Sequence, residues 1–126
     1  MSVTKEHLDF YEEEGYVIIE GGLTDSDLEP IIQGHNLIVD QIAHDLYKQG
    51  KIKDLYPNEP FDQRLACLAN ECPEVEGCPD IGETRQPNTF EFIRNENLVN
   101  LIEAFVGPEI TCNAVSHIRP KMPSTD

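Results

Sequence analysis

The pattern of apolar and polar positions changes period several times along the chain, and each change marks an expected element boundary. Thr4 is placed to cap a first helix, with Val3 and Leu8 spaced as a hydrophobic staple, and Gly15 stops it after Glu12, Glu13 and Glu14. Tyr16-Val17-Ile18-Ile19 is then a β-branched run closed by Gly21 and Gly22, the composition of a short buried strand. Leu28, Ile31, Ile32, Ile38, Ile42 and Leu46 return to helical spacing behind the capping signal Ser26-Asp27 with Glu29. This is the longest predicted helix, ending near Gly50. Pro30 fits it only in the first turn, so the expected start is Ser26 or Asp27.

Pro57 and Pro60 break the next stretch, and Phe61, Leu65, Leu68 and Ala69 predict a short helix. Residues 71–88 hold Pro73, Pro79, Pro87, Gly77, Gly82 and several acids, and read as a loop long enough to be functional, mobile or packed on something else. Asn95 caps a further helix in which Leu98, Leu101, Ile102, Phe105 and Val106 form one stripe, stopped by Gly107-Pro108. From Glu109 to Arg119 the period becomes two. Ile110, Cys112, Ala114, Ser116 and Ile118 share one face of an expected strand, and Thr111, Asn113, Val115, His117 and Arg119 share the other.

Charge narrows the partners. The 126 residues carry 24 acids against 9 bases, a net charge of −15. Residues 1–63 hold 14 acids and 4 bases, residues 64–126 hold 10 and 5, so neither half offers the clustered lysine and arginine that nucleic acid or an anionic membrane requires. The apolar runs fall short of the ~20 residues that span a bilayer, and an acidic first helix stands where a secretion signal would be apolar. The expectation is one soluble, cytoplasmic domain over residues 1–126. Cys67, Cys72, Cys78 and Cys112 form no CxxC pair and read as reduced thiols, with zinc held by the first three and a histidine as the alternative.

Few residues offer chemistry. His7-Leu8-Asp9 matches the HxD half of a non-haem iron triad, with His117 as a conceivable distal histidine. Residues i and i+2 lie about 200° apart round a helix, so a helical His7 and Asp9 face apart and cannot share a metal. His35 falls near the apolar stripe of the long helix and reads as a boundary residue; His44-Asp45 lies on the same helix. The chain has no GxSxG, P-loop, HExxH or GxGxxG motif. On the polar face of the last expected strand, Asn113, His117 and Arg119, with Lys121 after them, are placed either to hold a carboxylate ligand or to form an ordinary solvent face.

Taken in order, Phe10-Tyr11-Glu12-Glu13-Glu14-Gly15-Tyr16-Val17-Ile18-Ile19, then Gly22-Leu23-Thr24 before a long helix, then residues 97–110 with their Gly107-Pro108-Glu109-Ile110, then Arg119-Pro120-Lys121-Met122-Pro123, resemble the phytanoyl-CoA dioxygenase family of Fe(II)- and 2-oxoglutarate-dependent oxygenases. The resemblance spans roughly residues 7–123 and the family's N-terminal half alone. It implies an α+β fold: the N-terminal helices and first strands of a double-stranded β-helix of jelly-roll or cupin type, incomplete in this chain. In the family, a WHxD motif, a distal histidine and a 2-oxoglutarate-binding arginine come after the matched part. The resemblance therefore implies that iron and cosubstrate, with a small-molecule or acyl-CoA substrate, belong to a longer form carrying a C-terminal remainder. It further implies that Asn113, His117 and Arg119 line the cosubstrate cleft, that residues 1–126 include no catalytic or metal-binding residue, and that alone they are inactive. The competing expectation is a small acidic helical protein that acts as an interaction module.

Overall fold

The computed structural model describes residues 2–77, 84–113, 115 and 118–123. Their regular structure is five helices: α1 (Lys5–Glu14), α2 (Asp25–Lys48), α3 (Phe61–Glu71), α4 (Pro87–Ile93) and α5 (Glu96–Val106), with a 3-10 turn at Pro73–Gly77. Thr4 starts α1 by a reciprocal pair of bonds. The His7 N–H donates to Thr4 Oγ1 at 3.3 Å and the Thr4 N–H to His7 Nδ1 at 3.1 Å, so two N–H groups without intrahelical partners are satisfied together. Gly15 ends the helix in the left-handed conformation, φ 78°.

The long helix begins earlier than expected. Its cap is Thr24, and Asp27 rather than Glu29 closes the capping box, its carboxylate accepting from the Thr24 N–H at 2.8 Å. Pro30 consequently sits beyond the first turn, where its ring leaves the Ser26 carbonyl without the usual i+4 donor. Ser26 is exposed, so water can take that place. Asn95 caps α5 as expected, its side chain accepting from the Leu98 N–H at 3.0 Å.

The core lies between α2, α3 and the turn after α3. Val39 and Ala43 from α2 meet Leu65, Leu68 and Ala69 from α3, with Ile52, Cys72 and Val75 closing the cluster and Met122 packing on it from the last segment. Arg64 is buried at its rim. It donates through Nη2 to Asp40 at 2.9 Å and through Nε and Nη2 to the Leu55 carbonyl, pinning the segment between α2 and α3. Gly34 lets α4 lie close to α2: a Cβ there would stand 2.6 Å from Gln86 Nε2 and 2.8 Å from Asn88 Cβ.

The expected α+β architecture with the first strands of a β-helix is not what forms. Among the described residues there is no strand. Residues 16–19 keep the period-two alternation, with Val17 and Ile19 half-buried and Tyr16 and Ile18 exposed, yet among the described residues no segment pairs with them. A strand exists only as part of a ladder, and a β-branched run alone does not make one. In the second expected strand, Ala114, Ser116 and His117 lie outside the described residues. Beside them the Asn113 side chain accepts from the Val115 N–H at 2.9 Å, a local bond that competes with ladder formation. The stretch read as a loop over residues 71–88 holds the end of α3, the 3-10 turn with buried Val75, and the first residues of α4; residues 78–83 lie outside the described set. Among the described residues, no helix is long and apolar enough to cross a membrane.

Candidate functional site

A largely apolar hollow lies beside α4. Pro87 opens this short helix at its first position, where its missing N–H has no partner to lose. Thr89 is buried on the inner side, and Phe90 stands 60% exposed with the Arg94 guanidinium 5.3 Å from its ring centre. Ile93 from the helix and Cys112 and Asn113 from the last segment complete a groove of about 690 Å³. Two enclosed polar atoms of its residues, Gln86 Nε2 and Thr89 Oγ1, lack a hydrogen-bond partner. Pro87, Phe90 and Ile93 make the groove suit an apolar group, the two unpartnered atoms would be met only by a polar one, and its described lining brings no acid, base or nucleophile pair together.

Of the three residues expected to line a cosubstrate cleft, the structure places one on this groove. Asn113 is exposed there, its side-chain oxygen already engaged by the Val115 N–H. Arg119 is exposed and off the groove lining, and His117 lies outside the described residues. The iron-like string at the N-terminus is spent on helix structure: His7 Nδ1 accepts the cap bond from Thr4, and the Asp9 carboxylate pairs with Lys5. His35 stacks edge-on to Phe61 at 5.6 Å, and partial burial lowers its pKa. His44 Nδ1 meets the Asp40 carbonyl at 2.8 Å. Among the described residues, no three His, Cys, Asp or Glu side chains come together as a metal site. The described residues thus do not fit an Fe(II) triad.

Sequence reading passed over two polar centres. Asp27 gathers the Thr24 N–H and hydroxyl at 2.8 Å each, Asn95 Nδ2 at 2.9 Å and Asn97 Nδ2 at 3.0 Å, joining the start of α2 to the start of α5. These bonds, the Thr24 N–H first, hold its carboxyl well below the usual carboxylate range. Glu71 accepts from the Tyr56 hydroxyl at 2.5 Å and the Lys53 N–H at 2.8 Å. That hydroxyl bond, with burial adding to it, pushes Tyr56 up to about 12, and Tyr56 itself is held in the left-handed region at φ 49°. The Thr24-x-x-Asp27 spacing was the one signal that could have revealed the first centre; the second joins residues 15 positions apart and leaves no local pattern. Both centres fix the fold rather than offering a reactive group to solvent. Compared with models of protein families, with curated proteins and with solved structures, the chain finds no match.

Proposed function

We propose that residues 1–126 are the helical N-terminal portion of an oxygenase of the phytanoyl-CoA dioxygenase type, acting in the cytoplasm, where its thiols stay reduced. One observation carries the reading: the first three of the stretches that bear the resemblance pack on one another. Tyr11 of the first stretch meets Phe105 of the last edge-on at 5.0 Å. A Cβ on Gly22 would stand 3.1 Å from Leu101 Cδ1, and Asp27 ties α2 to Asn95 and Asn97. The complete protein, on this reading, couples decarboxylation of 2-oxoglutarate to hydroxylation of a C–H bond in a small molecule or acyl-CoA. Fe(II), bound by residues outside 1–126, supplies the oxygen activation. The helical portion contributes a scaffold and leaves the chemistry to the remainder.

The test is the native polypeptide. An antibody to residues 1–126, followed by intact mass spectrometry, should find a species well above 14.2 kDa that makes succinate from 2-oxoglutarate with Fe(II) and ascorbate. The purified 126-residue chain should make none. A native species of 14.2 kDa without this activity overturns the reading, and succinate made by the short chain overturns the placement of the iron ligands.

A second reading, an interaction module, is favoured by the apolar side chains that the helical chain leaves outside. Phe10, Tyr16, Ile18, Phe90 and Val106 are all exposed, and one cluster of them surrounds the segment after α1.

A further inference from the structure

Residues 16–18 form an open edge. Among the described residues, the backbone N–H and C=O groups of Tyr16, Val17 and Ile18 have no hydrogen-bond partner; the nearest backbone bonds are Gly15 N–H to Tyr11 and Gly22 N–H to the Ile19 carbonyl. The side chains alternate in exposure, and Ile18 is 74% exposed, which is the period of an extended chain seated on one face. Beside it a hollow of about 360 Å³ is walled by Phe10, Tyr16, Val17 and Ile18 together with Glu6 and His7, with Phe10 and Tyr16 edge-on at 5.4 Å. Residues 16–18 belong to no sheet, so a partner strand would form the ladder together with them; their unpaired backbone groups would supply affinity and the largely apolar pocket would select a side chain.

The charge around this edge selects the partner. Glu6 lines the hollow, Asp9, Glu12, Glu13, Glu14 and Glu20 lie within a few residues of the segment in sequence, and the single nearby base, Lys5, is paired with Asp9. A second copy would bring the same acids, and a net charge of −15 of its own, against them. We propose that residues 16–18 accept an extended, basic segment of a partner protein as a β-strand, its apolar residues alternating with lysine or arginine. The inference does not depend on the oxygenase reading, since it needs only the open edge and its acidic border.

A short peptide of alternating valine and lysine tests this on the 126-residue chain, read by residue-resolved amide exchange. In a strand, alternate residues direct their backbone groups to opposite edges, so the peptide should slow exchange about tenfold or more at Val17 alone or at Tyr16 and Ile18 together. The E12Q/E13Q/E20Q variant, whose changes are all at exposed positions, should weaken the peptide about fivefold, as expected for loss of several exposed charge pairs. The matching valine–glutamate peptide should leave exchange unchanged. No protection, protection by both peptides alike, or an affinity unmoved by the triple variant would overturn the proposal. Alternate-amide protection before any peptide is added, whether concentration-dependent or confined to a longer native polypeptide, would give the edge to a second copy or to the chain's own further sequence, and would also overturn it.

Discussion

Asp27 shows how one carboxylate can hold two distant segments in register. It is 8% exposed, and its bonds reach Asn95 and Asn97, 68 and 70 positions along the chain. Because every partner donates, the ionised carboxylate is the form that fits, and its folded pKa lies below the unfolded value. The stabilisation from a depressed carboxyl is present above the unfolded pKa of about 3.9 and is lost as pH falls toward the folded one. Asp27→Asn removes that dependence and sets an amide donor against two others. Urea midpoints at neutral pH should fall for the variant, and the difference from the parent should shrink as the solution is acidified below about pH 4. A constant difference down to the acid limit would show that the carboxylate's charge plays no part.

At the scale of elements, helices whose stop and start signals lie within a few residues were legible. Thr4, Gly15, Asn95 and Gly107 each end a helix as their local chemistry predicts. The start of α2 was misplaced because Ser26-Asp27 looks like a cap, while the structure uses Thr24 with Asp27 three residues on. α4 was missed: its seven residues are too few to reveal a period, and Pro87 serves as well for a loop as for a first helical position. The strands failed for a different reason. Alternation at residues 16–19 reports which side chains face inward, and the structure retains that, but a ladder also needs a neighbour that no local pattern encodes. The same limit applies to the site: strand parity groups Asn113, His117 and Arg119, and of these the described groove lining includes Asn113. The contact of α4 with α2 was equally invisible, because it depends on Gly34. Gly34→Ala gains about 1 kcal/mol of helix propensity, while driving a Cβ to 2.8 Å from the backbone-fixed Asn88 Cβ costs about 1–3 kcal/mol. The clash should win. Chemical denaturation should show a net loss near 1 kcal/mol, with faster amide exchange in α4; an unchanged or raised stability would mean that α4 does not press on α2 at Gly34.

Across the whole molecule, burial is uneven, and stability should follow it. α3 contributes Leu65, Leu68 and Ala69 to the core, whereas α1 and α5 hold no fully buried residue. α1 meets α5 through the Tyr11–Phe105 ring contact, on a chain whose acids outnumber its bases. Amides open either locally or with the whole domain, and the mode depends on how many buried apolar contacts must be broken. α3 can open only by dispersing the core, so its amides should exchange at the global unfolding free energy, whereas α1 can detach without disturbing Leu68. Leu68→Ala separates the two modes. Removing a fully buried leucine costs about 2–5 kcal/mol, and the whole of that loss should appear in α3 as exchange accelerated by about thirtyfold or more. The α1 amides, already opening by a cheaper local route, should keep their parental rates until the variant's global stability falls below that route. Equal acceleration in both helices would make the chain a single cooperative unit, with the Tyr11–Phe105 contact and the Asp27 bonds coupling the outer helices to the core.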